Sequence, residues 1–84
     1  MGAADLNRQE ILLGLAEILE KVCGTAPEEV APEMSFADDL KIDDLSMREV
    51  AQQAQDRFGV TIPDADVENL KTVGDAISYI ERKT

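Results

Sequence analysis

Four aspartates, Asp38, Asp39, Asp43 and Asp44, crowd one short stretch of the chain and form its densest group of side chains able to do chemistry. Carboxylate oxygens suit hard cations, so weak surface binding of calcium or magnesium is one reading. A catalytic carboxylate pair is another, but it needs an apolar pocket to raise one pKa, and the sequence around these acids offers none. A second acidic run, Asp64-Ala65-Asp66-Val67-Glu68, begins like a calcium loop. It then departs from one: Asn69 stands where the loop needs glycine, and Asp75 where it needs a glutamate. Helix capping and solvation account for these acids more simply, and no metal site is assigned.

A histidine-activated nucleophile is excluded on composition. The chain has one cysteine, Cys23, and no histidine, so neither a Cys–His nor a Ser–His arrangement can form. Val22 and Gly24 put the thiol near a helix end. A single cysteine also rules out an internal disulfide and fits a reducing compartment. No catalytic residue is assigned; the chain is read as a partner of enzymes and not as an enzyme.

The whole-chain balance points the same way. Among 84 residues, 18 acids face 8 bases, for a formal net charge of -10. Without a basic patch to neutralise phosphates, nucleic acid and anionic membranes are poor partners, whereas basic protein surfaces attract such a chain. The longest apolar run falls well short of the roughly 20 residues of a membrane span. The start, Met-Gly-Ala-Ala-Asp, has neither the basic nor the apolar region of a secretory signal. A cytoplasmic monomer is the expectation.

Apolar spacing supplies the elements that must position any site. Ile11, Leu15, Ile18 and Val22 recur at helical steps with Leu12 and Leu19 beside them, which predicts a first helix over about 5–22. Gly14 within it costs about 1 kcal/mol relative to alanine, which suggests another helix packed close. From Cys23 to Ile42 the pattern breaks at Gly24, Pro27 and Pro32, leaving Val30, Met34, Phe36 and Leu40 to pin a long loop across one end of a bundle.

Asp43 is a good N-cap for a second helix, 43–58, with Leu45, Met47, Val50, Ala51, Ala54 and Phe58 as its apolar stripe and Gly59 as its stop. Val60-Thr61-Ile62 is too short for a sheet and reads as a packed connector. Asp64 can cap a short helix over 64–69. Thr72 and Asp75 have the spacing of a capping box that opens a last helix, 72–82, with Val73, Ala76, Ile77 and Ile80 inward. The prediction is one all-α domain over 1–84: three main helices and a short one, with a long first loop.

Four blocks in a fixed order carry a more specific signal: Phe36-Ala-Asp-Asp-Leu40, Asp43-Asp44-Leu45-Ser46-Met47, Arg57-Phe58-Gly-Val-Thr-Ile62-Pro63-Asp64, and Leu70-Lys-Thr72-Val73-Gly74-Asp75-Ala76. From about Glu10 to Arg82 the chain resembles the acyl carrier proteins, most closely those of dissociated, type II fatty acid synthases, including the sort that serve mycolic acid elongation. Polyketide carriers share the same blocks. The resemblance implies a four-helix carrier that shuttles acyl thioesters on a 4'-phosphopantetheine arm, attached to a serine in an Asp-Ser-Leu triad at the start of the second helix. It implies partners with basic surfaces, the phosphopantetheinyl transferase and the fatty acid synthase enzymes. Asp43, Leu45, Met47, Arg48, Glu49 and Asp56 would flank the attachment point or meet those partners, and Val50, Ala54, Phe58, Ile62, Ile77 and Ile80 would line or support an acyl cavity.

The chain departs from this pattern at the attachment position, where the triad reads Asp43-Asp44-Leu45. A carboxylate forms no stable phosphodiester, and a mixed anhydride with phosphate is labile in water, so no arm is expected on the chain as written. Ser46 is no substitute: two helical residues are about 200° of rotation, which turns it away from the attachment side and leaves it exposed in the first turn. Asp44 is either an introduced change that holds a working carrier in its unmodified state or the mark of a natural, non-acylated regulatory relative. Arg48, Gln52 and Gln55 also differ from the residues common in the family, whereas Glu49 and Asp56 keep its acidic face.

Overall fold

The computed structural model describes residues 7–83, and the fold is all-α. Helix α1 runs Arg8–Cys23, α2 Asp44–Phe58, α3 Asp64–Val67 and α4 Val73–Lys83, with one 3-10 turn, Pro27–Glu29, in the long first loop. Helix α1 packs against both α2 and α4. One core holds the inward stripes together: Ile11, Leu15 and Leu19 from α1, Val50 and Ala54 from α2, and Val73, Ile77 and Ile80 from α4 are all buried.

Each helix end has a local cause. Asn7 is extended and caps α1, accepting the Glu10 amide at 2.8 Å while Glu10 accepts the Asn7 amide at 3.4 Å. The helix therefore starts at Arg8, later than the expected residue 5; Asp5 and Leu6 lie outside the described residues. Gly24 and Gly59, at φ +76° and +68°, stop α1 and α2 in a left-handed conformation that glycine adopts without steric cost. Gly14 does mark a close approach: a Cβ there would lie 2.5 Å from Cζ of Phe58 and 2.9 Å from Nε of Arg57. Arg57 completes that contact with an ion pair to Glu17 at 2.7 Å.

Two expectations for the short third helix are corrected. Its N-cap is Pro63, not Asp64, because the Pro63 carbonyl accepts the Asp66 and Val67 amides at 2.9 and 3.0 Å and draws Asp64 into the helix. It also ends at Val67 and not at 69, since the Asn69 and Leu70 amides bond three residues back, to Asp66 and Val67, and tighten the chain into turns. The Thr72–Asp75 box forms in both directions, at 3.1 and 3.2 Å, and opens α4 one residue later than expected. Val60 and Ile62 are buried in the connector, as the spacing predicted.

The long loop is ordered by its apolar residues and by its backbone. Val30, Phe36 and Ile42 are buried, with Met34 and Leu40 packed beside them. Three amides tie the loop to the approach and first turn of α4: Phe36 donates to the Lys71 carbonyl, Val73 to Met34 and Gly74 to Pro32. Lys41 takes a positive φ of 59°, which turns the chain so that Ile42 goes inward and Asp43 can cap α2.

Candidate functional site

The opening of α2 is built by its cap. Asp43 is extended, and its Oδ1 accepts the Ser46 amide at 2.8 Å, which holds the Asp43 carboxyl below the usual carboxylate range. Asp44 is the first helical residue and is exposed. Its charge sits where the unpaired amides of the first turn and the positive end of the helix dipole favour an anion. Ser46 is half-buried, contrary to the exposed position expected of it.

Beside Asp44 lies an open cleft of about 550 Å³. Its apolar lining comes from the loop (Phe36, Ala37, Ile42), from α2 (Met47), and from α3 and the turn after it (Val67, Leu70). Its rim is charged: Asp38, Asp43, Asp44, Asp64 and Glu68 face Arg48 and Lys71. Thus the loop, α2 and α3 meet around one hollow, apolar in its wall and charged at its rim, that opens at residue 44.

The candidate residues read from the sequence divide into three places. Asp43, Asp44, Met47 and Arg48 line the cleft. Leu45, 78% exposed, stands out from the same turn, and Glu49 and Asp56 lie exposed further along α2. Val50, Ala54, Ile62, Ile77 and Ile80 are buried in the core, and Phe58 is half-buried against it; none of the six lines the cleft. The spacing of Phe36, Val67 and Leu70 in the sequence does not group them into one wall. The only hint in the sequence is that these apolar residues interrupt otherwise polar connections.

The remaining candidates have local roles. Asp39 accepts the Ser35 amide at 2.7 Å and the Asp38 amide donates to the Ser35 hydroxyl at 3.2 Å, so this pair shapes a turn. Among the described residues no three His, Cys, Asp or Glu side chains converge to hold a metal ion. Cys23 closes α1, and desolvation together with the nearby Asp43 charge pushes its thiol up, away from the reactive thiolate.

Residues 14–80 match the family model described as a phosphopantetheine attachment site. The meromycolate extension acyl carrier protein of Mycolicibacterium aurum is 57% identical over 76 residues, covering 90% of this chain and 78% of that protein. The chain belongs to the acyl carrier protein family. The acyl carrier protein of Acidothermus cellulolyticus is 56% identical over 79 residues, 94% of each chain. The solved acyl carrier protein from Enterococcus faecalis superposes with a TM-score of 0.78 at 32% identity, covering 94% of this chain and 100% of that one. Both sequence relatives are named as carriers, the first of them for meromycolate extension. No helix among the described residues of this carrier is long and apolar enough to cross a membrane.

Proposed function

We propose that this chain is a single-domain, cytoplasmic acyl carrier of a dissociated fatty acid synthase, of the kind that elongates mycolic-type chains, and that Asp44 keeps it without its arm. One observation carries the reading: residue 44 is exposed in the first turn of α2 and borders the cleft whose wall includes Phe36, Met47 and Val67. A tether fixed there could deliver an acyl chain to Phe36, Met47 and Val67, with the core residues Val50, Ala54, Ile62, Ile77 and Ile80 and half-buried Phe58 behind them.

The residues fit the cargo but not the covalent bond. A 4'-phosphopantetheine arm supplies the thiol that holds acyl groups, and its attachment needs a hydroxyl oxygen at residue 44. Asp44 offers a carboxylate instead. Ser46 has its own amide bonded to Asp43 and lies on another side of the turn. What remains to the chain is recognition: exposed Leu45 with Glu49 and Asp56 suits enzymes whose docking faces are apolar at the centre and basic around it.

Mass measurement after incubation with coenzyme A and a phosphopantetheinyl transferase tests this. The chain as written keeps its mass, whereas Asp44→Ser gains one arm. An arm found on the unaltered chain overturns the assignment of Asp44. Refusal of Asp44→Ser by the transferase turns the reading toward a regulatory relative that binds synthase enzymes without cargo, which exposed Arg48 beside the cleft would then help to select.

A further inference from the structure

Helix α3 is too short to hold itself in place. It has four residues, its cap is a proline without a side-chain acceptor, and only Val67 is buried. One turn fixes several dihedrals for very few hydrogen bonds and is unfavourable unless tertiary contacts support it. Yet Asp64 and Val67, with Glu68 just beyond, line one wall of the cleft beside residue 44.

Helix α3 packs on α2 with Val67 buried, and a side chain of α4 adds a further tie. The hydroxyl of Tyr79 donates to Oδ2 of Asp66, and that hydroxyl oxygen of Tyr79 lies 3.4 Å from the Thr61 carbonyl in the connector that leads into α3. Asp66 does not line the cleft; its carboxylate is bonded across to α4. Lys83, one turn on from Tyr79, sets its ammonium 5.3 Å from the ring centroid, within cation–π range. Both Tyr79 and Asp66 are half-buried, where a hydrogen bond to a carboxylate is stronger than one in open water.

We propose that Tyr79 is a positioning residue for the cleft: through Asp66 it holds α3 as the wall against which cargo packs. The Tyr79–Asp66 bond leaves the core untouched and sets how readily α3 swings away to widen the cleft. That the cleft receives an acyl chain rests on the reading under "Proposed function"; that the bond holds α3 does not.

Amide hydrogen exchange on the unaltered chain and on Tyr79→Phe, which keeps the ring, separates the two. The Val67 and Glu68 amides, which bond to Pro63 and Asp64, should exchange about five- to tenfold faster in Tyr79→Phe, while the Leu15 and Leu19 amides of α1 keep their rates. Asp66→Asn, which retains an acceptor oxygen, should restore most of the protection that Asp66→Ala loses. Equal rates at Val67 in Tyr79→Phe, or the same acceleration in α1 as in α3, overturn the proposal. In a second arm, Asp44→Ser loaded with a long saturated acyl thioester should lose that thioester to hydroxylamine several-fold faster when Tyr79→Phe is added. If Asp44→Ser takes no arm, the carrier reading fails while the exchange rates still decide the role of Tyr79. If it loads and the two thioesters react alike, the link from α3 to cargo is overturned.

Discussion

Gly74, in the first turn of α4, donates its amide to the Pro32 carbonyl at 2.7 Å, and a Cβ at Gly74 would lie 3.0 Å from that same oxygen. A helix start and a loop are thus joined backbone to backbone, with no room for a side chain between them. The neighbouring bonds Val73 to Met34 and Phe36 to Lys71 depend on this approach, and they carry the loop that forms one side of the cleft.

Gly74→Val should therefore push Pro32 outward and destabilise the fold by about 1–3 kcal/mol, as overpacking against an unyielding neighbour does. Urea unfolding followed by circular dichroism measures it. The alternative expectation, that valine gains by replacing glycine in a helix, predicts a higher midpoint and is excluded by a lower one.

Burial separates two apolar residues of similar size. Ile11 is fully buried in α1, so Ile11→Ala should cost about 2–5 kcal/mol, a large part of the stability of so small a domain. Leu45 is 78% exposed, and Leu45→Ala should change stability by no more than about 0.5 kcal/mol. It should instead weaken capture by a phosphopantetheinyl transferase or a synthase enzyme, measured by calorimetry with the purified partner.

Two groups give the fold opposite pH dependences. The Ser46 amide lowers the Asp43 pKa, so the stability linked to Asp43 is present above the ordinary aspartate value of about 3.9 and is lost as pH falls through the lower folded value. The bond to Asp66, aided by desolvation, raises the Tyr79 pKa, so its contribution is full below about 10 and is lost as pH rises through the higher folded value. Urea midpoints against pH should show a shallower acid limb in Asp43→Asn, which still caps the helix, and a shallower alkaline limb in Tyr79→Phe. Unchanged slopes in both variants would remove these groups as the cause.

Short-range chemistry was legible in the residues themselves. Asp43 caps α2, Gly59 stops it and Thr72 pairs with Asp75, because caps and stops act within one helical turn and need only neighbouring residues. The capping box of Asn7 and Glu10 follows the same rule, but its asparagine lies inside the span 5–22 assigned to the first helix. The family was legible too, since its blocks are contiguous stretches and the attachment position sits inside one of them. The cleft was not: Phe36, Met47 and Val67 come from three elements, and only the packing of loop, α2 and α3 brings them round one hollow. The same holds for Tyr79 and Asp66, 13 residues apart, whose meeting depends on how α4 lies against α3. Periodicity tells which face of a helix turns inward, but not which distant residue meets it there, because that choice belongs to the packing of the whole core.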